Sequence, residues 1–193
     1  VGSEMCIRDR YRTDQQVLNT LTDIQDGCWI NMVDPTSKEL EQIAERFEIE
    51  PEDISSALDE EESSRISLED GYTVILVDIP TPEVRHEKKM YTTIPLGIIL
   101  KSEAIITVCK VDTPIINYFV RNKVKEFSTK KKMRFIYQML FRSAFVYQAN
   151  LRLIDKKRIE IEERVDGDTS DTDLIELHEL ESCLLYTSPS PRD

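Results

Sequence analysis

The most constraining feature of the sequence is one long helical pattern. From Thr129 to Val165 the chain contains neither Gly nor Pro, and apolar residues recur at three- and four-residue steps. These apolar positions are Ile136, Leu140, Ala144, Tyr147, Leu151, Ile154, Ile161 and Val165, with Arg158 as the one break. Helices of globular domains average about 12 residues, and a spacing near 3.5 is typical of a helix that packs against another long helix. Residues 129–182 are therefore predicted to form a long helical hairpin, with a returning helix that begins at Asp173.

The residues before this pattern predict a separate domain, and its first part holds a strand and two helices. Residues 28–33, CWINMV, are typical of a short buried strand, with the tryptophan in the core. Thr36 followed by Glu39 is a capping-box pattern, which predicts a helix that ends at Phe47. Pro51 suits the first turn of a second, short helix.

Four strands are predicted to follow these helices. The segment with Ile66 and Leu68 and the run YTVILVDIP predict two strands joined at an Asp-Gly turn. The segments YTTIPLGIIL and AIITVCKV predict a second pair, and Pro95 and Gly97 predict an edge position or a bulge in the first of them. Thr113, which precedes a proline, begins another helix. Consecutive strands favour a mixed or antiparallel sheet flanked by helices, so the predicted fold class is α/β.

Both ends of the chain are predicted to be non-native. The last eleven residues, CLLYTSPSPRD, can be encoded by DNA whose complementary strand encodes VGSEMCIR, the first residues of the chain. Unrelated protein termini have no reason to be reverse complements, and this DNA resembles the transposon-end adapter used to build sequencing libraries. Residues 1–10 and 183–193 are therefore expected to be translated adapter, and they do not contribute to the fold prediction. The native segment, residues 11–182, is expected to have been cut by DNA fragmentation.

The net charge argues against nucleic acid as a partner, and the apolar runs argue against a membrane-spanning helix in this chain. The chain has 25 Lys and Arg against 37 Asp and Glu, a net charge of -12. Sequence-independent binding to phosphate backbones depends on clustered Lys and Arg, so nucleic acid is not expected as a partner. The longest apolar runs fall far short of the roughly 20 residues that a membrane-spanning helix needs.

Cys28 and Cys109 lie in apolar segments, which predicts buried thiols and a reducing, cytosolic setting.

No motif indicates catalysis. The sequence has no Gly-x-Ser-x-Gly, no Gly-rich phosphate loop and no Cys-x-x-Cys. Its two histidines, His86 and His178, have no Cys or second His nearby in sequence that would suggest a metal ligand set or an activated nucleophile. We therefore predict that the protein is not an enzyme and binds no organic cofactor.

The most suggestive local feature is the run of four carboxylates at residues 59–62. Adjacent carboxylates repel one another, and the end of a helix opposes them further. Two interpretations remain open. The run is either a solvated turn with Arg65 as a local partner, which is the more usual fate of charge runs, or a site for a hard divalent cation.

Several segments, taken in order, carry a resemblance to a known family. They are GCWINMVDPT, FEIEPEDISSALDEEESSRI, GYTVILVDIP, TIPLGIIL and AIITV, followed by the long helical pattern. Over residues 11–182 the chain thereby resembles the cytosolic N-terminal domain of CorA-type magnesium transporters. The resemblance implies an αβα cytosolic domain in residues 11–128. It also implies a stalk helix, two membrane helices and a Gly-Met-Asn signature beyond Ser182, in a homopentamer.

The resemblance also implies that Mg²⁺ is both the transported and the regulatory ion, with Co²⁺ or Ni²⁺ as further candidates. In that family, intracellular Mg²⁺ bound between cytosolic domains neutralises acidic faces and holds the channel closed. The acidic pair of the well-studied members falls on Ser55 and Ser56, so those ligands do not carry over. Substitute ligands proposed on proximity alone are Asp53, Asp59, Glu60 and Glu61.

The predicted function is that of a cytosolic regulatory domain of a CorA-like divalent-cation channel. The parent protein is expected in the cell membrane, with this part on the cytoplasmic side and attached only through the missing C-terminal part. The alternative is a soluble acidic scaffold protein whose helical hairpin binds a partner helix. Gene sequence past Ser182 separates the two, because the channel requires a hydrophobic stretch of about 20 residues there.

Overall fold

The computed structural model describes residues 9–14, 17–85 and 88–165, together with residues 174, 175, 177, 178, 180 and 181, which have helical backbone. The first elements are β1 (Asp9–Asp14), β2 (Val17–Thr20), β3 (Cys28–Val33), α1 (Ser37–Phe47), α2 (Pro51–Ser55), a 3-10 turn (Ser56–Leu58) and β4 (Arg65–Glu69). They are followed by β5 (Tyr72–Arg85), β6 (Lys88–Leu100), β7 (Ala104–Cys109), α3 (Pro114–Val120) and α4 (Lys132–Val165). The predicted hairpin turn and the start of the returning helix at Asp173 lie outside the described residues.

The strands form one mixed sheet in the order β2-β1-β3-β7-β6-β5-β4. β3 and β7 are parallel, whereas β1 pairs antiparallel with β2 and β3, β4 with β5, and β6 with β7. Parallel neighbours need a long crossover, and here it contains α1, α2 and the strands β4 to β6. The mixed sheet with flanking helices confirms the predicted fold class.

Of the two alternatives predicted for β6, the edge position is wrong, because β6 lies between β7 and β5, and the bulge stays a prediction. Its ladder to β7 begins at Leu96, directly after Pro95, so that ladder needs no N–H from the proline. Gly97 is explained by packing instead. A Cβ at this position would lie 2.6 Å from the Cβ of Ala57, on the 3-10 turn above the strand.

β1 and β2 have no counterpart among the predicted strands. Their sequences, DRYRTD and VLNT, are mainly polar and too short to show a period. β1 includes Asp9 and Arg10, which are expected to be adapter-derived. A backbone ladder accepts almost any side chain, so these residues can extend the strand whatever their origin. The non-native origin of residues 1–10 and 183–193 stays a prediction.

The predicted helix starts are confirmed by side-chain caps. The Thr36 hydroxyl accepts a hydrogen bond from Glu39 N at 3.3 Å, and the Glu39 carboxylate accepts one from Thr36 N at 2.8 Å. At α3, the Thr113 hydroxyl accepts a hydrogen bond from Ile116 N at 3.2 Å. α3 ends at Val120, earlier than the end near Lys125 that the sequence predicts.

The chain forms two compact units, and the first covers the described residues up to Asp78 and the range Ile94–Leu140. Alternate side chains of β3 leave opposite faces of the sheet. Ile30 belongs to the cluster formed with α1, α2 and the neighbouring strands. Trp29 is fully buried and packs edge-on against Phe127 and Phe135, with ring centroids 6.2 and 5.0 Å away. The prediction of a core tryptophan is thus confirmed.

The second unit contains Ile79–Thr93 and the chain from Phe141 onward, including most of α4. Ile154 and Ile161 of the predicted apolar stripe are buried there. Ala144 and Leu151 of the same stripe are exposed. Across the described residues, no helix has both the length and the apolar character required to span a bilayer.

Cys28 and Cys109 are buried free thiols, as predicted. Burial is the main cause of the raised pKa of both thiols. The pKa of Cys109 is raised to about 11. At neutral pH these side chains are therefore protonated, and they act as small apolar residues of the core.

Candidate functional site

The most acidic part of the described chain is residues 48–62, called here the acidic segment. It runs from the end of α1 through α2 and the 3-10 turn to the loop before β4. The segment contains eight carboxylates and no basic residue. Six of the eight side chains are exposed, and only Asp53 and Glu62 are half-buried. This is the surface on which a cation would gain most from charge neutralisation.

Asp53 is held by a tyrosine from the sheet. The Tyr72 hydroxyl donates a hydrogen bond to Asp53 Oδ2 at 2.7 Å and accepts one from Glu50 N at 3.2 Å. Burial and the bond to Asp53 together raise the pKa of Tyr72 to about 12. The Lys101 ammonium lies 5.3 Å from the centre of the same ring. One oxygen of Asp53 is therefore committed to the protein, and the other remains for a ligand.

The carboxylates after the 3-10 turn differ in their partners. Asp59 Oδ1 accepts a hydrogen bond from Glu61 N at 3.0 Å, which tightens the turn. Glu60 Oε1 forms an ion pair with Lys110 Nζ at 2.6 Å, and this contact raises the pKa of Lys110. The side chain of Glu61 is exposed. Glu62 pairs with Arg65, the local partner that the sequence suggested.

Ser55 and Ser56, which the resemblance aligns with the family's acidic pair, bond to the local backbone. Ser55 Oγ donates a hydrogen bond to the carbonyl oxygen of Glu52 at 3.1 Å, and Ser56 Oγ donates one to that of Asp53 at 2.9 Å. Such bonds to the preceding turn occupy the hydroxyl proton. The serines therefore serve the local backbone.

The acidic segment does not gather into a preformed metal cage. Within the part of the chain that the structure describes, no three His, Cys, Asp or Glu side chains lie together in a way that could hold an ion. One copy therefore offers one or two carboxylates at a time. Mg²⁺ keeps several of its waters and binds through few protein ligands, so a site made of one or two carboxylates would be weak.

Two residues of this surface were missed by sequence reasoning. Tyr72 and Lys110 reach the acidic segment from β5 and from the end of β7, respectively. Neither position has a local sequence signal, because the contacts depend on how the sheet folds under α2.

Comparisons with solved structures show which class of protein has this fold. The soluble domain of CorA from Methanocaldococcus jannaschii superimposes with a TM-score of 0.76 at 20% identity, over 94% of this chain and 73% of that one. The complete CorA magnesium transporter of the same organism gives 0.74 at 18% identity, over 92% and 56%. The ZntB cytoplasmic domain from Vibrio parahaemolyticus gives 0.64 at 11% identity, over 93% and 72%. The fold is that of the soluble domain of CorA.

A sequence comparison identifies the family. The model of the CorA-like Mg²⁺ transporter protein family matches residues 25–188. The chain therefore belongs to the CorA-like Mg²⁺ transporter family, whose members are transporters rather than enzymes. No curated protein matches the chain in sequence. The chain spans just over half the length of the complete M. jannaschii transporter.

Proposed function

We propose that this chain is the cytosolic regulatory domain of a CorA-like divalent-cation channel, and that intracellular Mg²⁺ binds its acidic segment. The proposal rests chiefly on the eight carboxylates of residues 48–62, which have no basic residue among them. Asp59, Glu60 and Glu61 are the exposed candidate ligands, and Asp53 contributes its free oxygen. Co²⁺ and Ni²⁺ are further candidate ions, because the same oxygen ligands accept them.

Charge repulsion supplies the regulatory mechanism in this proposal. Copies with a net charge of -12 repel one another, and the repulsion is strongest where acidic surfaces approach. A cation between two such surfaces adds carboxylates from both copies and removes the repulsion. Loss of the cation then lets the domains separate, which is a rigid-body transition of the kind that opens channels. The parent protein is proposed to be a homopentamer in the cell membrane.

The direct test is Mg²⁺ titration of the 193-residue chain, followed by calorimetry and by the melting temperature. A ligand that binds only the folded state raises the melting temperature in proportion to the logarithm of its concentration once it exceeds Kd. We expect a rise at millimolar Mg²⁺ that exceeds the effect of NaCl at equal ionic strength, since monovalent salt only screens charge.

Two triple variants make the test specific. Asp59→Asn, Glu60→Gln and Glu61→Gln together should abolish the Mg²⁺-specific rise. The control, Asp23→Asn with Glu41→Gln and Glu45→Gln, removes the same number of exposed charges elsewhere and should keep it. Equal responses of the two triple variants, or no response of the unmodified chain, would refute Mg²⁺ binding at this segment.

A further inference from the structure

One candidate ligand of the acidic segment already holds a cation that belongs to the chain itself. The Lys110 Nζ atom lies 2.6 Å from Glu60 Oε1, and the two side chains are 48% and 60% exposed, so the contact is an ion pair that solvent ions can reach. Asp34 and Asp59 add electrostatic attraction at the same ammonium. All four residues belong to the first unit. The fold therefore places a positive charge at the position where a divalent cation would use Glu60.

The sheet fixes the place from which this ammonium reaches the acidic segment. β3 and β7 are parallel neighbours, so their carboxyl ends lie at the same edge of the sheet. Asp34 directly follows β3 and Lys110 directly follows β7, and Asp34 N donates a hydrogen bond to Cys109 O at 2.9 Å. The Lys110 side chain thus starts from the end of a fully buried strand and meets Glu60, which lies 50 residues earlier in sequence.

A tethered ammonium and a free cation compete for the same carboxylate. Two cations at one carboxylate repel each other, so an ion that takes Glu60 as a ligand must displace Lys110. The ammonium is attached to the fold, so its effective concentration at Glu60 is constant, whereas that of a free ion follows the solution. A monovalent ion has no more charge than the ammonium and lacks the tether, whereas Mg²⁺ has twice the charge. The pair therefore favours exchange with a divalent ion over exchange with K⁺ or Na⁺.

We propose that Lys110 is a built-in competitor of the divalent cation and sets the Mg²⁺ concentration at which Glu60 becomes a ligand. This inference rests on the function proposed above and names a residue that regulates the same site. At low Mg²⁺ the ammonium occupies Glu60 and reduces the charge of the acidic segment. At high Mg²⁺ the ion replaces it, and the half-exposed Lys110 side chain moves into water.

The test follows the amide NMR shifts of residues 59–62 while MgCl₂ is added to the 193-residue chain at constant ionic strength. Lys110→Met removes the ammonium and keeps an unbranched apolar stem. It should lower the Kd for Mg²⁺ about two- to fivefold, the range set by the modest strength of exposed ion pairs. Lys110→Arg keeps the positive charge, and its Kd should be no lower than that of the unmodified chain.

The matched control is Lys123→Met. It changes the net charge by the same amount at an exposed position of the same unit, and it should leave the Kd unchanged. Repeating Lys110→Met in a Glu60→Gln chain separates competition from long-range attraction. The gain in affinity should be smaller there, because no ion pair remains to be broken. A gain of the same size without Glu60 would overturn the proposal.

The outcomes distinguish this proposal from the proposed function. Equal Kd values for Lys110→Met and Lys123→Met would refute the competitor, while the Mg²⁺ response of the unmodified chain would still support the function. Shifts that occur only in Lys110→Met would support competition and refute Mg²⁺ binding by the unmodified chain. No Mg²⁺-dependent shift in any variant would overturn both proposals. Melting temperatures within a few degrees of the unmodified chain confirm that the variants are folded.

Discussion

At the scale of single residues, the acidic segment is shaped by contacts that occupy several of its carboxylates. Tyr72 fixes the carboxylate of Asp53, Lys110 pairs with Glu60, and Asp59 caps a backbone N–H. The candidate ligands predicted from the sequence therefore differ in availability, although they lie within one short segment. Glu61 is the residue whose carboxylate has the fewest competing contacts.

The first prediction concerns the Tyr72 hydroxyl. Its pKa rises from 10.0 to about 12 on folding, so the neutral form is favoured in the folded state. This stabilisation is complete below pH 10 and is lost as the pH rises through 12. Tyr72→Phe should lower the free energy of unfolding by about 1 kcal/mol at neutral pH and flatten its fall between these pH values. Denaturant unfolding at several pH values measures both effects.

The control for this prediction is Tyr137→Phe, which removes an exposed hydroxyl. Its unfolding curve and pH dependence should match those of the unmodified chain. A Tyr72→Phe variant with the same pH profile as this control would contradict the predicted role of the hydroxyl.

The second prediction concerns Gly97. Its bare Cα allows the 3-10 turn to pack on β6, because any Cβ would come within 2.6 Å of the Ala57 Cβ, which is fixed to the backbone. Gly97→Ala should therefore cost about 1–3 kcal/mol of stability through overpacking. Thermal or denaturant unfolding tests this. The double variant with Ala57→Gly should be more stable than Gly97→Ala alone, and failure of that rescue would mean that the clash is not the cause.

At the scale of elements, α4 combines a buried seam with polar positions. Ile136, Ser143 and Asn150 are seven residues apart and all buried, as in one position of a heptad repeat. The Asn150 Nδ2 atom has no hydrogen-bond partner in the part of the chain that the structure describes. Buried polar residues at such positions lower stability and can fix the register of packed helices.

The third prediction follows from this unsatisfied donor. Asn150→Leu should raise the free energy of unfolding by about 1 kcal/mol. It removes a buried N–H donor whose desolvation is not offset by a hydrogen bond. Gln148→Leu, at an exposed position of the same helix, controls for helix propensity. Chemical unfolding curves of both variants decide the matter. A loss of stability in Asn150→Leu would contradict the prediction, because it would show that the amide makes a stabilising contact.

The strands that the sequence predicted differ in side-chain composition from those that it missed. β3, β5 and β7 were predicted from their apolar runs, and the helix starts at Thr36 and Thr113 were predicted from their capping residues. β1 and β2 were missed, because polar edge strands are held by backbone ladders that leave no pattern in the side chains. The central place of β6 was also missed, since a Pro and a Gly within a strand more often indicate an edge.

At the scale of the whole molecule, charge and topology act together. The net charge of -12 is unevenly spread, with an acidic segment at residues 48–62 and an acid-free stretch at residues 127–154. The mixed sheet leaves β4 at its edge and so exposes Ile66 and Leu68.

The sequence by itself determined the fold class, the buried cysteines and tryptophan, the helix caps and the family, because each is encoded in local patterns of apolar, capping and turn residues. It also located the acidic segment. Only the tertiary structure decided which carboxylates are already paired, since Tyr72 and Lys110 reach them from strands distant in sequence. It alone decided that one side of α4 is buried and that the side with Tyr137, Phe141 and Phe145 is exposed. Helical periodicity shows where apolar residues recur, whereas the packing of other elements decides which of them are covered.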